Sequence, residues 1–245
     1  MSEDIKKIIK EKSDKGVLRL VMNNLDYKNA LSKKMMSMLG DEIESASSDK
    51  SIKVIVLAAK GNVFCSGHDL KEITAARENK DSGEEFYQDL FDSCSALMQL
   101  IVNTPQPIIA EVDGVATAAG CQLVASCDLA IASNESRFAT PGVNLGLFCS
   151  TPMVALSRNV NKKNAMEMLL TGDFIDASKA KEIGLINNLV QKEELTLEVT
   201  ELAEKIASKS SMTVSTGKQA FYAQAEMNLS DAYKYTAKTM EDNIF

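Results

Sequence analysis

One side chain in this chain titrates near neutral pH without any help from its surroundings. It is His68, the only histidine, in the run Phe64-Cys65-Ser66-Gly67-His68-Asp69-Leu70-Lys71-Glu72. An unperturbed imidazole has a pKa of about 6.5, so it can give or take a proton at working pH. The run follows a strand-like stretch and opens into a helix-like one. A small-residue turn between such elements can leave a backbone N–H unpaired and aimed into a cleft. Asp69 suits the cap of the following helix. A second segment has the same layout with smaller residues: Asp113-Gly114-Val115-Ala116-Thr117-Ala118-Ala119-Gly120-Cys121-Gln122. It follows the apolar run 108–112 and opens a helix. Small residues there let a ligand approach the helix N-terminus, where free N–H groups and the dipole favour negative charge. The spacing Gly114-x-Ala116-x-x-Ala119 imitates a dinucleotide fingerprint. It lacks the glycines of a pyrophosphate turn, and no acid stands clearly about 20 residues on. Ser66 lies in no G-x-S-x-G elbow and has no support as a nucleophile.

The elements that must carry these segments alternate strand and helix through the first two-thirds of the chain, which gives an α/β class. Residues 17–22 read as a strand, and Ser32 as the cap of a helix to about Ala46 with Met35, Met38, Leu39 and Ile43 on one side. Residues 53–58 are a near-continuous β-branched run, the pattern of a strand buried on both faces, and 108–112 read as the next buried strand. Residues 73–86 are polar and suggest a mobile helix or loop, and 85–103 an amphipathic helix ended by Pro105 and Pro107. Helical character over 119–127, a strand over 128–133 and a loop-rich stretch over 138–152 come next. Helices over 161–170 and 176–183 follow, the latter closed by Gly184. Long amphipathic helices are expected over 192–209 and 213–244. A composition shift near residue 190 divides a core, 1–190, from a helical region, 191–245.

Composition narrows the function. The 45% hydrophobic and 25% charged content is that of a globular domain. A net charge of −7 and a pI of about 5.0 argue against nucleic acid as the partner. Five cysteines, an odd number with no C-x-x-C pair, argue against a disulfide framework and a zinc site, and fit a reducing compartment, cytoplasmic or mitochondrial matrix. No apolar run reaches the roughly 18 residues of a membrane span, and residues 1–16 carry no apolar signal-peptide core.

Taken together, the two chemistry-bearing segments resemble the signature of the enoyl-CoA hydratase/isomerase (crotonase) superfamily: F-x-x-G-x-D-[LI]-K-E, then N/D-G-x-A-x-G-G-G-C-E-L. Phe138-Ala139-Thr140-Pro141-Gly142-Val143-Asn144-Leu145-Gly146 is similar to the family's F-x-x-P-E-x-x-L-G. Asn29-Ala30-Leu31, Met168 to Asp173, and Ala177 with Ala180 to Leu185 also match, in the right order over about residues 15–240. The resemblance implies a spiral of ββα repeats with a helical C-terminal oligomerisation region, assembled as a trimer or a dimer of trimers. It implies a CoA thioester as ligand, with no cofactor beyond the coenzyme A of the substrate and no metal. The thioester carbonyl is expected between the backbone N–H groups of His68 and Ala119, which stabilise an enolate. One such donor is typically worth on the order of 3 kcal/mol in the transition state. Ser66, Gly67, Asp69, Lys71, Gly120, Gln122, Gly142 and Cys149 are the expected substrate-binding positions.

Two departures from the family bear on the reaction. Its hydratases activate water with two glutamates, and the matching positions here are Gln122 and Gly142. Neither can exchange a proton near working pH, which argues against classical hydration and against the common isomerases. Restoring glutamates at both positions is expected to raise hydration if the backbone accepts a side chain at 142. His68 is then the expected catalytic side chain. The methylmalonyl-CoA decarboxylase branch carries the same G-H-D and pairs that histidine with a tyrosine, whose position corresponds to Cys149. A decarboxylase-like activity and a non-catalytic acyl-CoA-binding role both stay open. The nearest subgroup is the mitochondrial and bacterial "enoyl-CoA hydratase domain-containing" proteins, which share GHDLKE and ATAAGCQLVASCD. Relatives usually continue into a further basic helix, whereas this sequence stops at Phe245.

Overall fold

The computed structural model describes residues 7–244. Its strands form two sheets. The larger, in spatial order, holds β1 (Ile8–Lys12), β2 (Val17–Met22), β3 (Val54–Ala59), β5 (Ile108–Val112), β7 (Leu129–Ser133) and β10 (Asn188–Val190). All its pairings are parallel except β1 with β2. The smaller holds β4 (Val63–Cys65), β6 (Val115–Thr117), β8 (Arg137–Ala139) and β9 (Ile175–Asp176), with β9 antiparallel to β8. The chain visits the sheets alternately. β3 and β4 precede α2 (Leu70–Ala76) and α3 (Glu84–Asn103). β5 and β6 precede α4 (Ala119–Ser126), and β7 and β8 precede α5 (Pro152–Asn159). This is the expected ββα spiral.

β3 is an uninterrupted apolar run because both of its faces are covered, and β5 departs from that pattern only at Glu111, whose carboxylate pairs with Arg19 of β2. Ile55 and Leu57 point into the main core with Leu20, Met22, Phe64, Phe138 and residues of α1 (Lys33–Ser48) and α3. Val54 and Val56 point the other way, onto Leu195, Val199, Ala203 and Ala207, an i, i+4 stripe along α8 (Leu195–Ala207). The helical region therefore begins by covering the sheet. α1 starts at Ser32, whose hydroxyl accepts the Met35 N–H; it buries Met35, Leu39 and Ile43 together with Met36, and Met38 packs partly buried against the same core.

α6 (Lys162–Thr171) and α7 (Ala177–Glu182) agree with the sequence, and Gly184 closes α7 at φ +84. Ile8–Lys12 forms an edge strand in the charged N-terminal stretch. The polar stretch 73–86, expected as helix or loop, holds the end of α2, turns, and the start of α3. One expectation needs correction: the helix over 213–244 is two helices, α9 (Ser211–Ala225) and α10 (Leu229–Ile244). Asn228 breaks them, its Oδ1 accepting the Asp231 N–H at 3.1 Å as a new cap.

α9 is held to the core by a buried charge more than by apolar packing. The Lys218 ammonium donates to the carbonyls of Ile101 and Gln106, each at 3.0 Å, and to Asp128 Oδ2 at 2.7 Å. Asp128 also accepts the Ile108 N–H and the Tyr222 hydroxyl. The Lys218 and Asp128 side chains are 6% and 14% exposed. Removing one partner of such a pair strands the other charge, typically at a cost of about 3–5 kcal/mol. Asp128→Ala is expected to fall in that range in denaturant unfolding. Lys218→Met is expected to cost less, because Asp128 keeps its two other donors. Equal losses would show that the ammonium needs no counter-ion.

Candidate active site

The site lies where three neighbouring parallel strands end. Beyond β4 the chain runs through Ser66-Gly67-His68, beyond β6 through Ala118-Ala119, and beyond β8 through Thr140-Pro141-Gly142. These exits are tied together. The Thr117 hydroxyl donates to the Ser66 carbonyl at 3.0 Å, the Ala118 N–H to the Ala139 carbonyl at 2.9 Å, and the Leu31 N–H to the Gly67 carbonyl at 2.8 Å.

Two glycines let the first exit touch the start of α4. Gly67 has φ +91, and a Cβ there would sit 3.1 Å from the Thr117 carbonyl oxygen and 3.5 Å from the Ala119 nitrogen. A Cβ on Gly120 would lie 2.2 Å from the Cys65 carbonyl oxygen. Standard backbone dimensions then place the His68 and Ala119 nitrogens within roughly 7 Å of each other. Among the described residues neither N–H has a protein acceptor. Ala119 opens a wholly buried helix, so its N–H also carries the positive end of the helix dipole. Ala118, just before it, is held at φ 49 and ψ −119, a strained backbone for a residue with a side chain.

The His68 ring is partly buried. Its Nδ1 lies 3.1 Å from the Leu31 carbonyl, which can only accept, so Nδ1 carries the proton and donates. The ring therefore keeps its lone pair on Nε2, which is buried without a partner. Phe91 packs edge-on at 5.9 Å between centroids. Burial lowers the His68 pKa below its ordinary value, against the Leu31 hydrogen bond and the Glu72 charge, which both raise it. A cleft of about 940 Å³ is lined by Lys33, Lys80 and Phe86 together with the acids Glu78, Asp81, Glu85 and Asp89, and none of the expected site residues lines it.

Among the remaining expected residues, Ser66 and Gly67 lie just beyond β4, Gly120 and Gln122 lie within α4, and Gly142 lies beyond β8 in contact with Cys149 of the loop before α5. Asp69 caps α2, its Oδ1 accepting the Lys71 N–H at 2.8 Å. Lys71 is exposed, with its ammonium 4.8 Å from the Tyr27 ring centre. Gln122 is buried, and its Oε1 faces the Cys94 thiol at 3.8 Å. Gly142 donates its N–H to the Cys149 sulfur at 3.3 Å. A Cβ on Gly142 would stand 2.2 Å from the Leu147 carbonyl oxygen and 2.8 Å from that sulfur. The loop after the 3-10 turn Pro141–Leu145 thus fills the start of any side chain at 142, so the backbone does not accept a glutamate there as it stands.

Sequence reasoning did not single out the strain at Ala118 or the Thr140 hydroxyl. Thr140 is 1% exposed, and its Oγ1 has no partner. Leaving such a group unsatisfied typically costs roughly 1–3 kcal/mol. Among the described residues four buried side-chain polar atoms lack partners, and two of them, His68 Nε2 and Thr140 Oγ1, stand at these strand ends. Neither signal is visible in a residue type, because both depend on what surrounds it. Among the described residues no group of three or more His, Cys, Asp or Glu side chains is placed to hold a metal ion.

The family model described as enoyl-CoA hydratase/isomerase matches residues 12–244. The mitochondrial enoyl-CoA hydratase domain-containing protein 3 of Xenopus laevis is 48% identical over 94% of this chain and 76% of its own length. The crystal structure of the human enoyl-CoA hydratase domain-containing protein 3 superposes with a TM-score of 0.92 at 46% identity, covering 98% of this chain and 92% of that one. An enoyl-CoA hydratase structure from Mycobacterium smegmatis gives a TM-score of 0.93 at 44% identity over 98% and 91% of the two chains.

With a single histidine, one imidazole proton signal reports the site. Its NMR titration is expected to have a midpoint below 6.5, with Nε2 unprotonated at pH 7. Because the folded pKa is the lower one, the neutral ring favours folding above the unfolded pKa. That contribution is lost as pH falls from about 6.5 through the folded midpoint. A midpoint at or above 6.5 would mean that the ring is hydrated or ion-paired.

Proposed function

The chain belongs to the enoyl-CoA hydratase/isomerase family, and from that premise we propose that it holds an acyl-CoA thioester with the carbonyl oxygen between the His68 and Ala119 N–H groups. The observation that carries this reading is the pair of unpaired donors brought together where Gly67 meets the start of α4. Negative charge developing on the oxygen as the thioester becomes an enolate is met by two fixed donors and a helix dipole. They need no reorganisation at the moment of reaction.

Proton handling falls to His68. The neutral ring with its lone pair on Nε2 is a proton acceptor, and its conjugate acid a donor. No carboxylate stands at 122 or 142 to do the same. Gly67 and Gly120 shape the approach to the carbonyl. Ser66, Gln122, Gly142 and Cys149 line the acyl side, and Asp69 and Lys71 the mouth. The decarboxylase-like reading uses the same histidine. A non-catalytic acyl-CoA-binding role is favoured by one observation, the filling of position 142 by the loop through Cys149. The assembly we infer is a trimer or dimer of trimers. It would cover the exposed Leu229, Tyr233, Met240 and Ile244 of α10. A mitochondrial setting follows the relatives' names, and five free, buried cysteines suit a reducing matrix.

Hydration of crotonyl-CoA is expected to be absent or very weak. Gln122→Glu with Gly142→Glu is expected not to restore it, because the second change must displace the loop. Robust hydration by the native protein would remove the assignment of 122 and 142. His68→Ala keeps the backbone donor, so acyl-CoA binding by calorimetry is expected to survive. Turnover of the best substrate in an acyl-CoA panel is expected to fall about 10²–10⁴-fold. His68→Gln separates hydrogen bonding from proton transfer. Native-like turnover by both variants would leave His68 only its N–H.

A further inference from the structure

We propose that the Thr140 hydroxyl is a ligand-facing group of this site that selects acyl units bearing an oxygen on the carbons next to the thioester. The inference rests on the acyl-CoA reading above and adds a specificity-determining residue to it.

Thr140 begins the 3-10 turn Pro141–Leu145, where a threonine ordinarily caps a nearby N–H. It makes no such bond. Pro141 has no N–H to offer, and the Gly142 N–H is taken by the Cys149 sulfur. The hydroxyl makes no capping bond and is buried to 1% exposure without a partner. Its place in the fold is equally specific. The Ala139 carbonyl, one peptide before it, accepts the Ala118 N–H, so Thr140 flanks the strained residue that delivers the Ala119 donor. β6 and β8 are in register as Thr117↔Ala139, which makes Thr140 the next residue outward on the strand beside that donor.

A saturated acyl chain brings nothing to this hydroxyl. Its only polar atom is the thioester oxygen, which the two backbone N–H groups already claim. A hydroxyl or carboxylate oxygen near the thioester can accept from the Thr140 O–H. A hydroxyl can in addition donate, and the unprotonated Nε2 of His68 is the other buried acceptor without a partner at these strand ends. An oxygenated acyl group thus satisfies a polar atom that the free protein leaves bare.

The test compares calorimetric binding of butyryl-CoA, 3-hydroxybutyryl-CoA and malonyl-CoA to the native protein, Thr140→Val and Thr140→Ser, with thermal melts of all three. The native protein is expected to bind at least one oxygenated ligand about 5–30-fold more tightly than butyryl-CoA. Thr140→Val, which keeps the shape and removes the hydroxyl, is expected to erase that difference while butyryl-CoA binding holds. Its melting temperature is expected to equal or exceed the native value, since a bare buried hydroxyl is gone. Thr140→Ser is expected to retain the preference. The proposal is overturned by a Val variant that keeps the preference, by a native protein without one, or by a Val variant that melts several degrees lower. The last would show the hydroxyl bonded within the free protein. Failure of the native protein to bind any of the three ligands would instead remove the acyl-CoA reading itself, and this inference with it.

Discussion

The contact on which the site depends is the approach of two backbones with no side chain between them. Gly67 lies against Thr117 and the start of α4, and Gly120 lies against the Cys65 carbonyl. A Cβ at Gly120 would overlap that carbonyl outright, and the φ of +91 at Gly67 suits glycine alone among the residues that could stand there. Everything that sets the donors follows from this approach. β4, β6 and β8 must end level, α4 must be wholly buried to hold its N-terminus still, and the main core beneath must be rigid. Backbone donors fixed in this way tolerate variation in the side chains around them, so the family's glycine can give way to Ala119 without removing a donor.

Local cost is concentrated at the same place. Ala118 is strained, and two of the four buried polar atoms without partners belong to His68 and Thr140. Each would be a defect in a merely structural region, where more than nine in ten buried polar groups are paired. Their convergence on the ends of three adjacent strands is what distinguishes a site from scattered imperfections. The covering of the main sheet on both faces supplies the stability against which such costs are held.

How much of this the sequence disclosed depends on whether a feature is local. β3 was legible because burial on two faces writes itself as an unbroken apolar run, β5 because only Glu111 interrupts the same pattern, and α1 because Ser32 and the stripe through Leu39 and Ile43 mark its start and face. β4, β6 and β8, only three residues each, are too short to show a period, although they carry the site. β1 was hidden by its own charges. Ile8–Lys12 is an edge strand, and edge strands favour lysine because it deters pairing with other chains. The break between α9 and α10 did have a signal in Asn228, a capping residue ahead of Leu229, but no Gly or Pro drew attention to it. The motif residues can be picked out from the chain alone, while the tautomer of His68 and the isolation of Thr140 depend on their neighbours.

At position 142 the absence of a side chain does not leave an empty place. With a glycine there, the chain from Leu147 to Cys149 closes over the position, its carbonyl and sulfur standing where a side chain would begin. The closure is itself stabilised, since Gly142 donates to Cys149 and its carbonyl accepts the Leu147 N–H at 2.9 Å. The same sulfur withholds from Thr140 the N–H that would otherwise cap its turn. The bare position at 142, the closed loop and the uncapped threonine hydroxyl therefore share one set of contacts. A side chain introduced at 142 must displace the Leu147 carbonyl and the Cys149 sulfur, and with them the bond that now takes the Gly142 N–H.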